Sequence, residues 1–174
     1  NFGTITGVNA GATVQNGEVV NMSTGSITGG QFGVVLLDVT KLSNAGTISG
    51  ERGIVIRNLN GDTSVGISNT GAGSIVGAIS GIESLRQLDL FNSGSISATD
   101  VGGVAVKSAT ANVTNGITGA ITGGETGIAA QARATVSNAG LISGQTFGIS
   151  VDGGTLNVSN SGTIAGNVGI TAGS

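Results

Sequence analysis

Three phrases within one repeat decide the fold: Asn138-Ala139-Gly140-Leu141-Ile142-Ser143-Gly144, then Phe147-Gly148-Ile149-Ser150-Val151, then Leu156-Asn157-Val158-Ser159-Asn160. In each phrase apolar and small polar residues alternate. Period two sends successive side chains to opposite faces, which specifies strand and not helix. Glycine and asparagine punctuate the phrases and mark corners. No window of the chain carries apolar residues at helical spacing over two turns.

The phrases return along the whole chain. The first is centred on Ile5, Ile27, Ile48, Ile75, Ile96, Ile121, Ile142 and Ile164, at spacings of 22, 21, 27, 21, 25, 21 and 22. A mean of about 23 residues lies in the range of solenoid repeats. The second phrase opens on glycine, as in Gly53-Ile54-Val55-Ile56 and Gly103-Val104-Ala105-Val106. The third closes on asparagine, at Asn21, Asn44, Asn69, Asn92, Asn115, Asn138 and Asn160. Each of these asparagines shares the parity of its apolar neighbours, so it faces inward. An inward amide needs hydrogen-bond partners. Stacking at the ~4.8 Å strand spacing supplies them from the next asparagine. Asparagine also tolerates a left-handed corner, and Gly46, Gly94, Gly140 and Gly162 follow two residues later to complete the turn.

Corner lengths agree with this reading. The steps from Asn to the next Ile are 6, 4, 6, 4, 6, 4 and 4. Differences of two leave the inward face unchanged, whereas an odd insertion would invert it. A longer insertion before Asn69 contains Asn60-Gly61-Asp62, a tight-turn signal that predicts a protruding loop. The expected fold is all-β: a single-stranded parallel β-helix with about three strands per rung and seven to eight rungs. Right-handed coiling follows from the usual crossover rule. Its core is a narrow column of Ile, Val and Leu. A leucine-rich repeat would need more leucines and a helical or bent segment.

Composition narrows function. The 174 residues include 34 Gly and no Pro, Cys, His, Trp or Tyr, and the net charge is −3. Absence of Cys removes disulfide and thiolate chemistry. Absence of His removes a Ser-His-Asp triad, the ordinary zinc site and a pH switch near neutrality. The weak negative charge argues against nucleic acid. No cofactor or metal is expected. The run Val34-Val35-Leu36-Leu37 falls far short of the ~20 apolar residues of a spanning helix, so this segment is not expected to insert in a membrane. The first residues carry no signal-sequence pattern. The sequence starts at a corner asparagine and ends inside a rung without a polar cap. Residues 1–174 are therefore expected to form one β-helix segment of a longer rod.

Asn44-Ala45-Gly46-Thr47-Ile48-Ser49-Gly50, Asn138-Ala139-Gly140-Leu141-Ile142-Ser143-Gly144 and Asn160-Ser161-Gly162-Thr163-Ile164-Ala165-Gly166 resemble the passenger repeats of type V autotransporter adhesins. The resemblance covers essentially the whole chain. It implies a secreted bacterial protein at the cell surface, held at the outer membrane through a part of the protein not present here. It implies partners among host or neighbouring-cell surface glycans or proteins. The open rungs imply end-to-end self-association.

Polar corners before the second strand carry Gln31, Glu51, Asp100, Glu125, Gln145 and Asn167. Asp100 and Glu125 fall on adjacent rungs, as a catalytic carboxylate pair would in a β-helical glycan-cleaving enzyme. They lack a third carboxylate, an aromatic sugar platform and a basic partner in phase, and a solvated corner explains them. Arg57, Arg86, Lys107 and Arg133 follow the second strand on four consecutive rungs. Side by side they would form an anion- or glycan-binding strip; a solvated edge is the plainer reading. Thr4/Thr6, Ser26/Thr28, Thr47/Ser49 and Ser95/Ser97 would face outward as in an ice-binding module, but Val76, Ala120, Leu141 and Ala165 interrupt the ladder. Phe2, Phe32, Phe91 and Phe147 read as rung or corner fillers. The leading expectation is a structural and adhesive stalk without catalysis. Glycan cleavage, and less so ice binding, are the alternatives.

Overall fold

A computed structural model describes residues 1–38, 41–57 and 64–173. Its described residues form eighteen strands and no helix, and every pairing between them is parallel. The chain coils through about seven turns as a β-solenoid with three faces. Thr4–Gly7 and Ser26–Gly29 begin the first face, Ala10–Val14 and Phe32–Leu36 the second, Glu18–Asn21 and Lys41–Asn44 the third. Thr47–Ile56 rounds the corner from the first face to the second, and Ser74–Asn92 runs through all three. The loop expected at Asn60-Gly61-Asp62 lies outside the described residues.

Register is held by like residues over like. All eight anchor isoleucines pair in one column, from Ile5 over Ile27 to Ile142 over Ile164. Ile48, Ile75, Ile96, Ile121 and Ile142 are wholly buried. A second column on the next face runs Val34, Ile54, Ile82, Val106, Ile128 and Ile149. A third runs Leu42, Ile67, Leu90, Val113 and Val136. These columns meet in one apolar cluster along the axis. Full burial of each such side chain contributes about 1.5–3 kcal/mol before entropy is counted.

Glycine has two packing duties here. At the start of the second phrase it makes room for the anchor of the following rung. A Cβ on Gly33, Gly53 or Gly81 would lie within 2.7–2.8 Å of Cγ2 of Ile48, Ile75 or Ile96. At the asparagine corner the reason differs from the expected one. Among the described residues no non-glycine has positive φ, and positive-φ glycines occur at Gly17, Gly71 and Gly154. The corner asparagines and Gly46, Gly94, Gly140 and Gly162 are therefore not left-handed; in the longer Asn69 corner Gly71 is, with φ 59°. Gly46, Gly94 and Gly140 are required because a Cβ on each would overlap a backbone carbonyl oxygen of the rung below, that of Gly25, Gly73 and Gly119 respectively.

Replacing Gly94 by Ala should thus cost stability through overpacking, about 1–3 kcal/mol. Gly102 has no atom within 4 Å of a Cβ position and no positive φ, so Gly102→Ala should be nearly neutral. Urea unfolding of both variants checks the pair. Equal midpoints for the two would contradict the packing explanation.

Candidate functional site

The inward asparagines form a continuous hydrogen-bonded column. Asn21, Asn44, Asn69, Asn92, Asn115 and Asn138 are at most 2% exposed. The amide Nδ2 of Asn21 donates to Oδ1 of Asn44 at 2.8 Å, Asn44 to Asn69 at 2.8 Å and Asn69 to Asn92 at 2.9 Å. Asn92 donates to Asn115, Asn115 to Asn138 and Asn138 to Asn160, each at 2.8 Å. Every amide donates in the same direction, toward the next rung. The column also includes Asn1, whose Nδ2 donates to Oδ1 of Asn21 at 3.0 Å.

Each amide also ties two corners of the chain together. Asn69 Nδ2 donates to the carbonyl of Gly73 at 3.1 Å in its own corner and to that of Ser95 at 3.1 Å in the next rung. Asn92 does the same with Gly94 and Ala120. Six-residue corners offer the glycine four positions after the asparagine, and four-residue corners offer it two positions after. The longer corner thus bulges outward while presenting the same carbonyl. No buried side-chain nitrogen or oxygen among the described residues is left without a partner.

The cations do not share one column. Lys107 lies on the second face, paired with Glu83 and Ala129. Arg133 lies beyond the corner on the third face, paired with Thr110 and Thr155. Arg57 and Arg86 stand at the intervening corner, Arg57 bonded through its backbone to Leu36 of the preceding rung. All four are exposed. For Lys107 the reason lies before the corner: Val104 pairs with Ser80 and Val106 with Ile82, so Ala105, not Gly103, stands level with Gly81. For the others it lies in the corner itself, where the register shifts between Ser108 and Thr110. Two residues lie between Ser84 and Gln87 and between Ala130 and Arg133, against one between Ser108 and Thr110. Counting from the strand-opening glycine therefore carries the cations to different faces. Buried Ser108 stitches this corner, its one hydroxyl proton shared between the carbonyls of Arg86 at 2.8 Å and Thr110 at 2.7 Å.

Asp100 and Glu125 are exposed on adjacent corners. A shallow groove nearby is lined by Ser97, Thr99, Thr122, Ser143 and Gln145, without either carboxylate. The outward hydroxyls of the first face stack in register, and Thr28 and Ser49 hydrogen-bond to one another at 3.0 Å. Three features carry no signal in the sequence. Arg52 donates through Nε to Glu83 at 2.9 Å, bridging neighbouring rungs. Phe91 is no filler: it points outward and is 44% exposed. Arg57 sits over the ring of Phe32, 5.3 Å from its centroid, a cation–π contact.

No family model, curated protein or solved structure matches the chain.

The column makes a prediction with a sign in pH. Asn92→Ala leaves the Asn115 amide oxygen without its donor and should cost about 1–3 kcal/mol. Asn92→Asp places a carboxyl against three oxygens, those of Gly94, Ala120 and Asn115. Burial and those oxygens disfavour its charged form and raise its folded pKa above the unfolded value of about 3.9. The folded variant then holds the proton more tightly than the unfolded one. Its stability is retained below about pH 4 and falls as pH rises toward the folded value. Unfolding measured across that range, with the parent chain as reference, checks the trend. A variant that follows the parent at every pH would place the side chain outside the column.

Proposed function

We propose that the chain is a stalk segment of a secreted bacterial surface protein, an adhesive rod that displays side chains and corners for attachment. One observation carries the reading: the anchor column and the amide column continue through successive rungs without interruption. Parallel pairing along the axis makes the unit a spacer whose length is set by rung number. The outward positions are then free to vary, because the fold depends on the inward ones. The resemblance of the corner phrases to autotransporter passengers supports export to the cell surface. Chemistry at the site is recognition, without catalysis, and the partners are surface glycans or proteins of host or neighbouring cells. Self-association is end to end. The amide column has a direction, so two copies join head to tail with a donor facing an acceptor.

Beads coated with the folded chain should adhere to glycan-coated surfaces and to cells, whereas beads coated with the unfolded chain should not. Equal adhesion by both would overturn display by a folded rod. Release of sugar fragments from a polysaccharide panel, abolished in the Asp100→Asn/Glu125→Gln variant, would replace the stalk with the glycan-cleaving alternative.

A further inference from the structure

On the third face the inward columns leave two outward ones. One runs Lys41, Gly66, Asp89, Asn112, Thr135 and Asn157. The other runs Ser43, Ser68, Phe91, Thr114, Ser137 and Ser159. A groove of about 630 Å³ follows these columns from Lys41 to Ser137. A second hollow of about 370 Å³ continues it over Asn157 and Ser159. From Lys41 to Asn157 is five rung intervals, roughly 24 Å at ~4.8 Å each. The trough is long, shallow and parallel to the rod.

Its chemistry is specific. Phe91 is the aromatic residue in a column otherwise made of hydroxyls. Short side chains flank it, Ser68 on the rung before and Thr114 on the rung after. One face of the ring is thus open to a flat apolar partner. Beside it Asp89 is oriented by neighbours: Asn112 donates to its Oδ1 at 2.7 Å and Gln87 at 3.3 Å. Burial opposes ionisation of Asp89, but hydrogen bonds from Ser64, Asn112 and Gln87 outweigh it and hold the carboxyl below its ordinary range. Lys41 is paired with Glu18 at 3.1 Å, so the Asp89 carboxylate is the uncompensated charge of the trough. An open aromatic face, a fixed carboxylate with its amide partners and a row of hydroxyls suit a ligand that is apolar on one surface and rich in hydroxyl groups at its edge. A pyranose ring has that form. A single uncompensated carboxylate repels acidic polysaccharides and accepts hydroxyl protons, which favours an uncharged chain, and the length of the trough favours a linear one.

We propose that the Asp89–Phe91 groove binds a neutral linear polysaccharide lying along the rod axis. The proposal rests on the adhesive reading and gives it a site and a ligand class. Phe91 stacks on one sugar ring. The Asp89 carboxylate accepts hydrogen bonds from that sugar's hydroxyls, and the hydroxyl column meets its neighbours. The cations Arg57, Arg86 and Lys107 lie elsewhere on the rod and take no part.

The column itself supplies safe substitutions. Serine and threonine already occupy the Phe91 column, and asparagine the Asp89 column, so Phe91→Ser and Asp89→Asn should keep the parent's unfolding midpoint. Cellohexaose, mannohexaose and a β-linked galactohexaose serve as neutral probes. A heparin hexasaccharide serves as the charged probe, and an unstructured polar peptide tests a protein ligand. At least one neutral hexasaccharide should bind and shift the Asn112 side-chain amide resonances. Phe91→Ser should weaken that binding at least tenfold, and Asp89→Asn several-fold. The proposal is overturned if no neutral probe binds at millimolar concentration, if Phe91→Ser binds as well as the parent, or if only the heparin or peptide probe binds. Bead adhesion measured alongside separates the two readings. Adhesion that persists without neutral-sugar binding removes the groove alone, whereas sugar binding without adhesion removes the stalk's adhesive role and leaves the groove.

Discussion

Stacking at one strand spacing imposes a single demand on every inward position: each side chain must pack against its own counterpart above and below. Isoleucine meets the demand by interlocking its branched surface, and asparagine meets it by donating and accepting at once. A buried primary amide is costly when alone. In this column each Nδ2 donates to the next Oδ1, so the cost is removed by repetition. The amide column in turn holds the corner carbonyls, and the corners hold the three faces in register. Glycine follows from the same demand. With backbones stacked this closely at the Gly46, Gly94 and Gly140 corners, no Cβ fits.

Separation of inward from outward positions is what makes such a rod useful. Columns facing the axis are nearly invariant because their neighbours fix them. Columns facing solvent are bound only by parity and strand propensity. Charge, aromatic surface and hydroxyl groups can then change from rung to rung without altering the fold. Phe91 among serines and threonines is one such change, and Glu83 beneath Lys107 is another.

The inward half of the molecule was legible in the sequence because it repeats. Eight isoleucines and seven asparagines at nearly constant spacing fixed strand type, register and facing, and the even corner steps predicted correctly that the inward face is the same on every rung. The outward half was less legible for a physical reason. The corner between the second and third faces varies in length by single residues and absorbs the change in a register shift at Ser108. Counting along the chain could not follow Arg133 across it, and counting from Gly103 misplaced Lys107 because Ala105 stands where the neighbouring rungs have their strand-opening glycine. The corner asparagines and Gly46, Gly94 and Gly140 were recognised for the wrong property, since their backbones are not left-handed and close packing, not φ, selects glycine there. Asp89 and Phe91 carried no motif. Only the pairing of rungs brings Asn112 to Gln87 and Asp89.

Hydrogen exchange of side-chain amides tests the column most directly. In a ¹⁵N-labelled sample, Asn44, Asn69, Asn92 and Asn115 should exchange their Nδ2 protons slowly, because those protons are buried and bonded along the axis. Asn157 is exposed on the third face and should exchange at the rate of a free amide. Exchange of the four column amides as fast as that of Asn157 would contradict a continuous buried ladder, and with it the account of what keeps the rungs in register.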